Sequence, residues 1–320
     1  MARGKGGPET SPGYSAIMNV FVTGATGVIG RRVVPLLLAS GHEVTVAARS
    51  NARRPIPWGE VQAKPVDLFD PATLAPALGD QDAVINLATH MPPSSARMLV
   101  RRAWRENDRI RREGSRNLVQ AALASDVPRL VQESFAPAYP DRGEEWIDES
   151  VPLEPEVYNR TILDAEASAR RFGDAGRIGV IVRFAAFYGP DSYPLRDFLK
   201  ALRLGWAPIP GSPQGFISSV SHDDAAAAVV AALRARPGAY NVADDEPVRR
   251  EVYAGTLATL IGARPPRFPP TWITPLFGVA RALARSQRIS NRKLRDETGW
   301  RPRYPSVREG LPVTLREMGA

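Results

Sequence analysis

The chain has 320 residues, of which 43% are hydrophobic and none is cysteine, and its formal net charge is +8. This length and composition suit one globular unit of one or two lobes, and the lack of cysteine excludes disulfides, thiolate metal sites and a cysteine nucleophile. No apolar run reaches the roughly 18 residues that a membrane-spanning helix needs. The basic residues are scattered and accompany no nucleic-acid-binding motif. We therefore expect a cytoplasmic protein with no membrane, nucleic-acid or metal partner.

The predicted elements begin after a Gly-, Pro- and Ser-rich leader (1–17), which lacks the apolar segment of a signal peptide and is expected to be disordered. Residues 18–23 are a short apolar run that predicts a buried strand, followed by a glycine-rich loop and a helical pattern that ends at Gly41. Further strands are predicted at 42–48, 61–68, 82–88, 129–134 and 178–184, and further helices over 70–78, 97–124 and 158–172.

The alternation of strands and helices predicts an α/β fold with a doubly wound parallel sheet of the Rossmann type. After Phe184 the sequence becomes rich in Pro, Gly and aromatic residues, which favours a smaller C-terminal substrate-binding lobe. "SHDDAAAAVVAALRA" predicts a helix, and "AYNVA" predicts a strand that returns to the main sheet. The predicted domains are a dinucleotide-binding domain, 18–185 with about 217–243, and a lobe formed by 186–216 and 244–320.

Three glycines, Gly24, Gly27 and Gly30, stand directly after the first predicted strand and open a helix. Glycine lets the backbone turn sharply and approach a pyrophosphate, whose charge is favourable at a helix N-terminus. In this strand–loop–helix position the spacing predicts a dinucleotide site. Contacts with the cofactor are expected from this loop, from the ends of later strands and from Tyr158. The residues are Gly24, Thr26, Gly27, Val28, Ile29, Gly30, Asp67, Leu68, Leu87, Ala88, Thr89, Tyr158 and Phe184.

The end of the second predicted strand indicates which dinucleotide binds. A cofactor with a free ribose 2′-hydroxyl favours Asp or Glu there, whereas this chain has Ala48 followed by Arg49. Arginine pairs well with a 2′-phosphate, so NADP(H) is favoured over NAD(H). Arg31 and Arg32 at the start of the first helix either add positive potential or are surface charges beside the loop.

Several segments carry a resemblance to a known family: "TGATGVIG", "DAVINLA", "GSRNLVQAALASDVPRLVQES", "VRFAAFYGPDS", "SHDDAAAAVVAAL" and "SNRKLRDETGWRPRYPSVREGL". Over roughly 18–312 the chain resembles the extended short-chain dehydrogenases/reductases. The resemblance implies a Rossmann domain that holds the dinucleotide and a C-terminal lobe that holds the substrate. It also implies pairing of two copies into a homodimer through the helices over 97–124 and 158–172.

The catalytic positions of this family are only partly filled. Members usually combine Ser or Thr with a Tyr-x-x-x-Lys pair; the tyrosine maps onto Tyr158, but the lysine position holds Ile162. The serine position, four residues before Tyr139, holds Phe135, and the neighbouring Ser134 is expected to point to the other face because strand side chains alternate. Tyr158 is therefore either a catalytic donor or a packed aromatic residue. Ser134 is a weaker candidate for a catalytic role.

The substrate pocket is expected to be apolar. Epimerases of the family carry an Asn and an Arg where this chain has Ala186 and Ile217. The residues expected to line the pocket are Met91, Phe135, Phe187 and Tyr188, which either bind a flat apolar or aromatic ligand or belong to the ordinary core.

The leading functional hypothesis is an NADPH-dependent ketoreductase that acts on a large apolar or aromatic ketone of secondary metabolism. In this respect the chain is similar to atypical family members such as the angucyclinone ketoreductases. A neutral Tyr158, or a phenol on the substrate itself, would stabilise the charge that develops on the carbonyl oxygen. The alternatives are an NADP(H)-binding redox sensor that performs no chemistry, and a sugar-nucleotide epimerase or dehydratase.

Overall fold

The computed structural model describes residues 17–48, 57–59, 61–272 and 278–319, so the predicted leader lies outside the described residues except for Ile17. The strands in this part of the chain are β1 (Asn19–Thr23), β2 (Glu43–Ala48), β3 (Gln62–Pro65), β4 (Ala83–Asn86), β5 (Arg129–Phe135), β6 (Trp146–Ile147), β7 (Ile178–Phe184), β8 (Ala186–Tyr188), β9 (Phe216–Ile217), β10 (Ser219–Ser221), β11 (Gly238–Val242), β12 (Val248–Arg249) and β13 (Arg288–Ile289). The α-helices are α1 (Gly30–Ala39), α2 (Pro71–Leu78), α3 (Ser95–Met98), α4 (Arg105–Arg109), α5 (Ser115–Ala124), α6 (Ile162–Asp174), α7 (Tyr193–Arg203), α8 (His222–Ala232), α9 (Arg250–Leu260), α10 (Gly278–Leu283), α11 (Arg292–Thr298) and α12 (Val307–Met318).

A seven-stranded sheet organises the molecule, in the order β11-β7-β5-β4-β1-β2-β3, and every neighbouring pair is parallel. The chain starts at β1, adds β2 and β3 on one side, and then crosses back to add β4, β5 and β7 on the other side. This order confirms the predicted doubly wound α/β fold. In such sheets ligands bind beyond the carboxyl ends of the strands, at the point where the winding reverses. Here that point lies between β1 and β4.

The sheet is covered on both faces because its central strands are apolar on both faces. In β1, Val20 and Val22 join one core together with α1 and α8, whereas Phe21 between them joins the opposite core with α2, α5 and α6. The predicted return strand also forms: β11 pairs with β7, and Val242 stands opposite Phe184. The division into two domains at these boundaries stays a prediction.

The helix predicted over 97–124 is wrong in detail, because several short segments replace it. Helix α3 ends at Met98, a 3-10 turn follows over 101–104, and a π-helical turn over 110–114 separates α4 from α5. The indole nitrogen of Trp104 donates to the Met98 carbonyl oxygen at 2.8 Å. This hydrogen bond links the end of the 3-10 turn to the end of α3. Apolar spacing alone does not reveal such interruptions, since the buried face continues through them.

The helix predicted over 158–172 begins later, at Ile162, so Tyr158 lies in the preceding turn. Hydrogen bonds of the tighter 3-10 type form this turn: the Asn159 amide donates to the Glu156 carbonyl, and the Ile162 amide donates to the Asn159 carbonyl, both at 3.1 Å. Thr161 is held by its hydroxyl, which donates to Asp108 at 2.8 Å. The turn therefore presents Tyr158 at a different angle from a helical residue.

The C-terminal part has a core of its own. In this core Leu199 of α7, Leu257 of α9 and Leu311 of α12 pack together with Tyr188. Within the described parts of the chain, no helix combines the length and the apolar character that crossing a membrane requires.

Candidate functional site

The glycine loop has the geometry expected of a pyrophosphate-binding turn. Gly24 has a φ of +70°, and a Cβ atom there would lie 2.4 Å from the Leu87 carbonyl oxygen. A Cβ atom on Gly30 would lie 2.2 Å from the Gly24 carbonyl oxygen, so both positions exclude a side chain for reasons of packing. Gly27 differs, because its Cβ would meet only the Gly24 carbonyl oxygen, at 3.1 Å. The space beyond Gly27 is therefore open.

The outer part of the loop is available to a ligand. Thr26, Gly27 and Val28 are exposed, and Ile29 is half-buried. Among the described residues, no hydrogen bond engages the backbone N–H groups of Thr26, Val28 or Ile29. These donors stand at the N-terminus of α1, where an anion is stabilised by the helix dipole. The loop thus fits the pyrophosphate of a dinucleotide, as the sequence predicts.

A buried network of side chains supports the loop from below. The Thr23 hydroxyl donates to the Asn86 amide oxygen at 2.6 Å, and the Asn86 amide nitrogen donates to Gln132 at 2.8 Å. The same Asn86 oxygen accepts from the Ala88 amide at 3.3 Å. This network ties the carboxyl ends of β1 and β4 to the middle of β5. It therefore fixes Leu87 and Ala88 at the place where the sequence predicts contact with the cofactor.

Three further predicted cofactor residues, Asp67, Leu68 and Thr89, follow strands at the same edge of the sheet. Asp67 and Leu68 follow β3; the Asp67 carboxylate accepts from the Phe69 amide at 2.9 Å, and the Leu68 carbonyl oxygen accepts from Asn117 at 3.0 Å. Thr89 is exposed just beyond β4. Arg49, on which the NADP(H) prediction depends, lies outside the described residues.

The two arginines at the start of α1 are already paired. Arg32 donates to Asp223 at 2.6 Å and to Asp191 at 2.8 Å, and Arg31 forms an ion pair with Asp191 as well. Their positive charges are therefore largely offset by these carboxylates. Of the two interpretations of Arg31 and Arg32, the ion pairs favour a structural one, in which they connect α1 to the segment before α7.

Tyr158 is buried and has no lysine beside it. Its ring packs against Trp104, with the centroids 5.0 Å apart, and against Val279 and Ala282 of α10. Burial raises the pKa of the Tyr158 phenol to about 12, while the charges of Arg111 and Arg285 oppose part of this rise. Ile162 is fully buried. The phenol therefore stays protonated at neutral pH and is a poor source of a proton.

Ser134 is engaged by other buried residues, which agrees with the expectation that it points to the other face of the strand. Its hydroxyl donates to Glu166 of α6 at 2.5 Å, and Glu166 also accepts two hydrogen bonds of 2.8 Å from Arg183. Burial disfavours ionisation of Glu166, but Arg183 and Ser134 outweigh this and hold its pKa below the ordinary value. The three residues form a buried structural network, which Arg183 extends to the Tyr139 hydroxyl at 2.6 Å.

A second buried ion pair was not predicted. Arg111, in the π-helical turn, donates to Glu133 of β5 at 3.1 and 3.4 Å, and both side chains are almost fully buried. The signal in the sequence is Glu133, a carboxylate inside a predicted central strand of the sheet. Arg111 gives no signal, because it belongs to the run "RENDRIRREG", which is typical of an exposed helix face. π-Helical turns often occur at functional sites.

The predicted apolar pocket is only partly assembled. Met91 and Phe187 are exposed, Phe135 is half-buried, and Phe187 packs on Phe184 with the centroids 5.2 Å apart. Tyr188, in contrast, is fully buried in the C-terminal core, where α12 lies against it. For Tyr188 this burial favours the second of the two interpretations, that of an ordinary core residue.

A cavity of about 580 Å³ lies beside the Tyr158 turn, and sequence reasoning missed it. Its walls are Pro140, Asp141, Arg142, Glu154, Glu156, Arg281, Ala284 and Arg285. Glu156, two residues before Tyr158, accepts hydrogen bonds from Arg281 at 2.8 Å and from Arg285 at 3.2 Å. These bonds hold α10 against the turn that carries Tyr158. No sequence signal could have revealed the cavity, because its walls are separated by more than 120 residues.

Comparisons with known proteins agree with this geometry. A family model described as NAD(P)H-binding matches residues 24–195. A 3-diazoavenalumate denitrifying reductase from a Streptomyces species is 32% identical over 314 residues, which cover 92% of this chain and 99% of that protein. A 2-alkyl-3-oxoalkanoate reductase from Shewanella oneidensis is 26% identical over 260 residues, which cover 72% of this chain and 63% of that protein.

Among solved structures, a dTDP-glucose 4,6-dehydratase from Streptomyces venezuelae, with NAD bound, has a TM-score of 0.76 at 24% identity. The superposition covers 94% of this chain and 96% of the dehydratase chain. At this identity the likeness shows the fold alone.

Proposed function

Because the chain belongs to the extended short-chain dehydrogenase/reductase family of NAD(P)H-binding Rossmann proteins, we propose that it is an NADPH-dependent reductase that works without a proton relay of its own. The proposal rests on one observation: the dinucleotide loop is complete, whereas the groups that would move a proton are missing or engaged elsewhere. Ile162 replaces the lysine, Ser134 donates to Glu166, and burial holds the Tyr158 phenol in its protonated form.

The choice of NADPH over NADH rests on the sequence. Arg49 follows directly after β2, at the position where an acidic residue would favour NADH. The glycine loop and the α1 N-terminus would hold the pyrophosphate, and the bound dinucleotide would supply two electrons as a hydride. The protein itself would orient the substrate and exclude water, which can provide a large part of the barrier reduction.

The first substrate candidate is an aryl diazonium ion, which the Streptomyces relative favours because its name describes the removal of nitrogen from a diazo compound. In this reaction hydride takes the place of the diazonium group, dinitrogen leaves, and NADP⁺ is formed. The atoms and charges balance without any proton. A site with no proton relay therefore suits this chemistry.

The second candidate is a ketone, which the Shewanella relative favours because its name describes an oxoalkanoate. Ketone reduction consumes one proton for each hydride, so this site would need a proton from water or from a phenol carried by the substrate. None of the relatives named above is an angucyclinone ketoreductase, and that assignment stays a prediction. Both named substrates are carboxylate anions, so we extend the proposal to an organic acid.

One experiment separates the two candidates. Diazotised 3-aminobenzoate and 3-acetylbenzoate share a ring and a carboxylate but carry a diazonium ion and a ketone, respectively. NADPH oxidation is followed by its absorbance, proton uptake by an indicator dye in weak buffer, and dinitrogen by mass spectrometry with an isotopic label. A reaction without enzyme gives the background rate.

For the diazonium reductase we expect one dinitrogen and no proton for each NADPH oxidised. One proton for each NADPH, with the ketone alone as substrate, would show a ketoreductase. Failure of both compounds and of a wider diazonium and ketone panel, with NADPH binding intact, would contradict the proposal and favour the redox sensor. An epimerase would instead interconvert sugar nucleotides without net consumption of NADPH. The cytoplasmic location and the homodimer stay predictions.

A further inference from the structure

The cavity beside Tyr158 has the size of a substrate site. Its volume of about 580 Å³ lies within the range usual for small-molecule sites. It opens at the carboxyl edge of the sheet, because its first wall, Pro140, follows β5 and a 3-10 turn over 136–138. Two residues of α10, Val279 and Ala282, pack on the Tyr158 ring, and Arg281 beside them lines the cavity. The cavity therefore adjoins the helix and the turn that enclose Tyr158.

The charged groups of the cavity have unequal numbers of partners. Arg285 uses both ends of its guanidinium group, donating to the carbonyl oxygens of Tyr139 at 2.9 Å and Glu154 at 2.7 Å and to Glu156. Arg281 donates to Glu156 from Nε and Nη2, and its Nη1 makes no hydrogen bond to the described residues. The Arg281 side chain is 56% exposed, whereas Glu156 is only 9% exposed.

Two of the three acidic side chains of the wall are engaged as well, whereas the exposed Glu154 carboxylate makes no hydrogen bond to the described residues. Asp141 accepts from the Gly143 amide at 2.9 Å and from the Ser286 amide at 3.0 Å. Glu156 faces two arginines, so its charge is more than offset. An anion entering the cavity thus meets the open edge of Arg281, a fork of donors that matches a carboxylate.

We propose that this cavity binds the carboxylate of an aromatic acid through Arg281, while Glu156 and Arg285 hold the Arg281 side chain in place. This inference rests on the proposed function in one respect: the reacting end of the substrate is taken to lie near Tyr158. It adds a binding site and a specificity-determining residue. The carboxylate anchors one end of the acid, and the flat ring lies against the apolar parts of the wall, Pro140 and Ala284.

Binding of an unreactive pair of probes tests the site without any turnover. The probes are 4-hydroxycinnamate and its methyl ester, titrated calorimetrically into the protein with NADP⁺ in excess. We expect the acid to bind about tenfold to hundredfold more tightly than the ester. Arg281→Met should erase this difference by weakening the acid alone, and Arg281→Lys should retain part of it. The matched control is Arg171→Met, which should change neither affinity, because Arg171 is exposed on α6 and forms no ion pair with the described residues.

Two results would overturn the inference. One is equal affinity of the wild-type protein for acid and ester; the other is an equal loss for both probes in Arg281→Met, which would show that Arg281 only holds α10 in place. Melting temperatures of the variants exclude unfolding as a cause, and Arg281→Lys keeps the ion pair with Glu156. Because no hydride moves in this test, a protein that binds the acid but oxidises no NADPH would refute the proposed function and leave the site standing.

Discussion

The substitution Gly27→Val tests whether the glycine loop binds phosphate or is only a turn. A Cβ atom on Gly27 would meet only the Gly24 carbonyl oxygen, at 3.1 Å, which requires a shift of a few tenths of an ångström. The folded protein should therefore lose no more than about 1 kcal/mol, or about 2–4 °C of melting temperature. The side chain would occupy the open space in front of the N–H groups of Thr26 and Val28. Losing about two charge-assisted hydrogen bonds, each about 1.5–3 kcal/mol, weakens NADPH binding by roughly 10²–10⁴-fold.

Gly30→Ala is the matched control. Its Cβ would lie 2.2 Å from the Gly24 carbonyl oxygen and 2.7 Å from the Ala25 Cα, so backbone must move and the protein should lose several degrees of melting temperature. The assays are fluorescence titration with NADPH and thermal unfolding without ligand. A Gly27→Val protein that melts like the wild type and binds NADPH within a few-fold of the wild-type affinity would refute the reasoning.

NADPH should bind at least tenfold more tightly than NADH, and Arg49→Ala should remove the preference, since a contact with the 2′-phosphate contributes about 1.5–3 kcal/mol; equal dissociation constants in the wild type would contradict this. Tyr158→Phe should lower kcat much less than the roughly 10²–10⁴-fold usual for a general acid, and Ile162→Lys should not raise it; a thousandfold loss in single-turnover kinetics would restore the ordinary role of Tyr158. Burial, with a contribution from Arg32, lowers the pKa of His222 to about 4. The unfolded chain binds a proton near pH 6.5, so the free energy of unfolding should fall by about 3 kcal/mol as the pH drops from 6.5 to 4. His222→Gln should flatten this slope in urea titrations.

Local patterns in the sequence determined most of the fold. Runs such as "VFV" and "AVIN" can be buried on both faces only in a covered parallel sheet, and the glycine spacing of 24, 27 and 30 identifies the loop before α1. The sequence also shows that Ile162 occupies the position of the family's lysine, because the family motif has a defined spacing. The predicted helix over 97–124 was less reliable, since a hydrophobic face continues unchanged through 3-10 and π-helical turns.

The tertiary structure alone decided which polar groups are free to act. Ser134 could have faced the site, yet its hydroxyl is held by Glu166, 32 residues further along the chain. Arg111 and Arg281 belong to arginine-rich stretches of the sequence, but one is buried against Glu133 and the other lines a cavity. Partners in these contacts come from separate elements, and their distance depends on how those elements pack. Whether Arg111 and Arg281 are exposed, paired or buried follows from that packing, and the sequence around these two arginines does not reveal it.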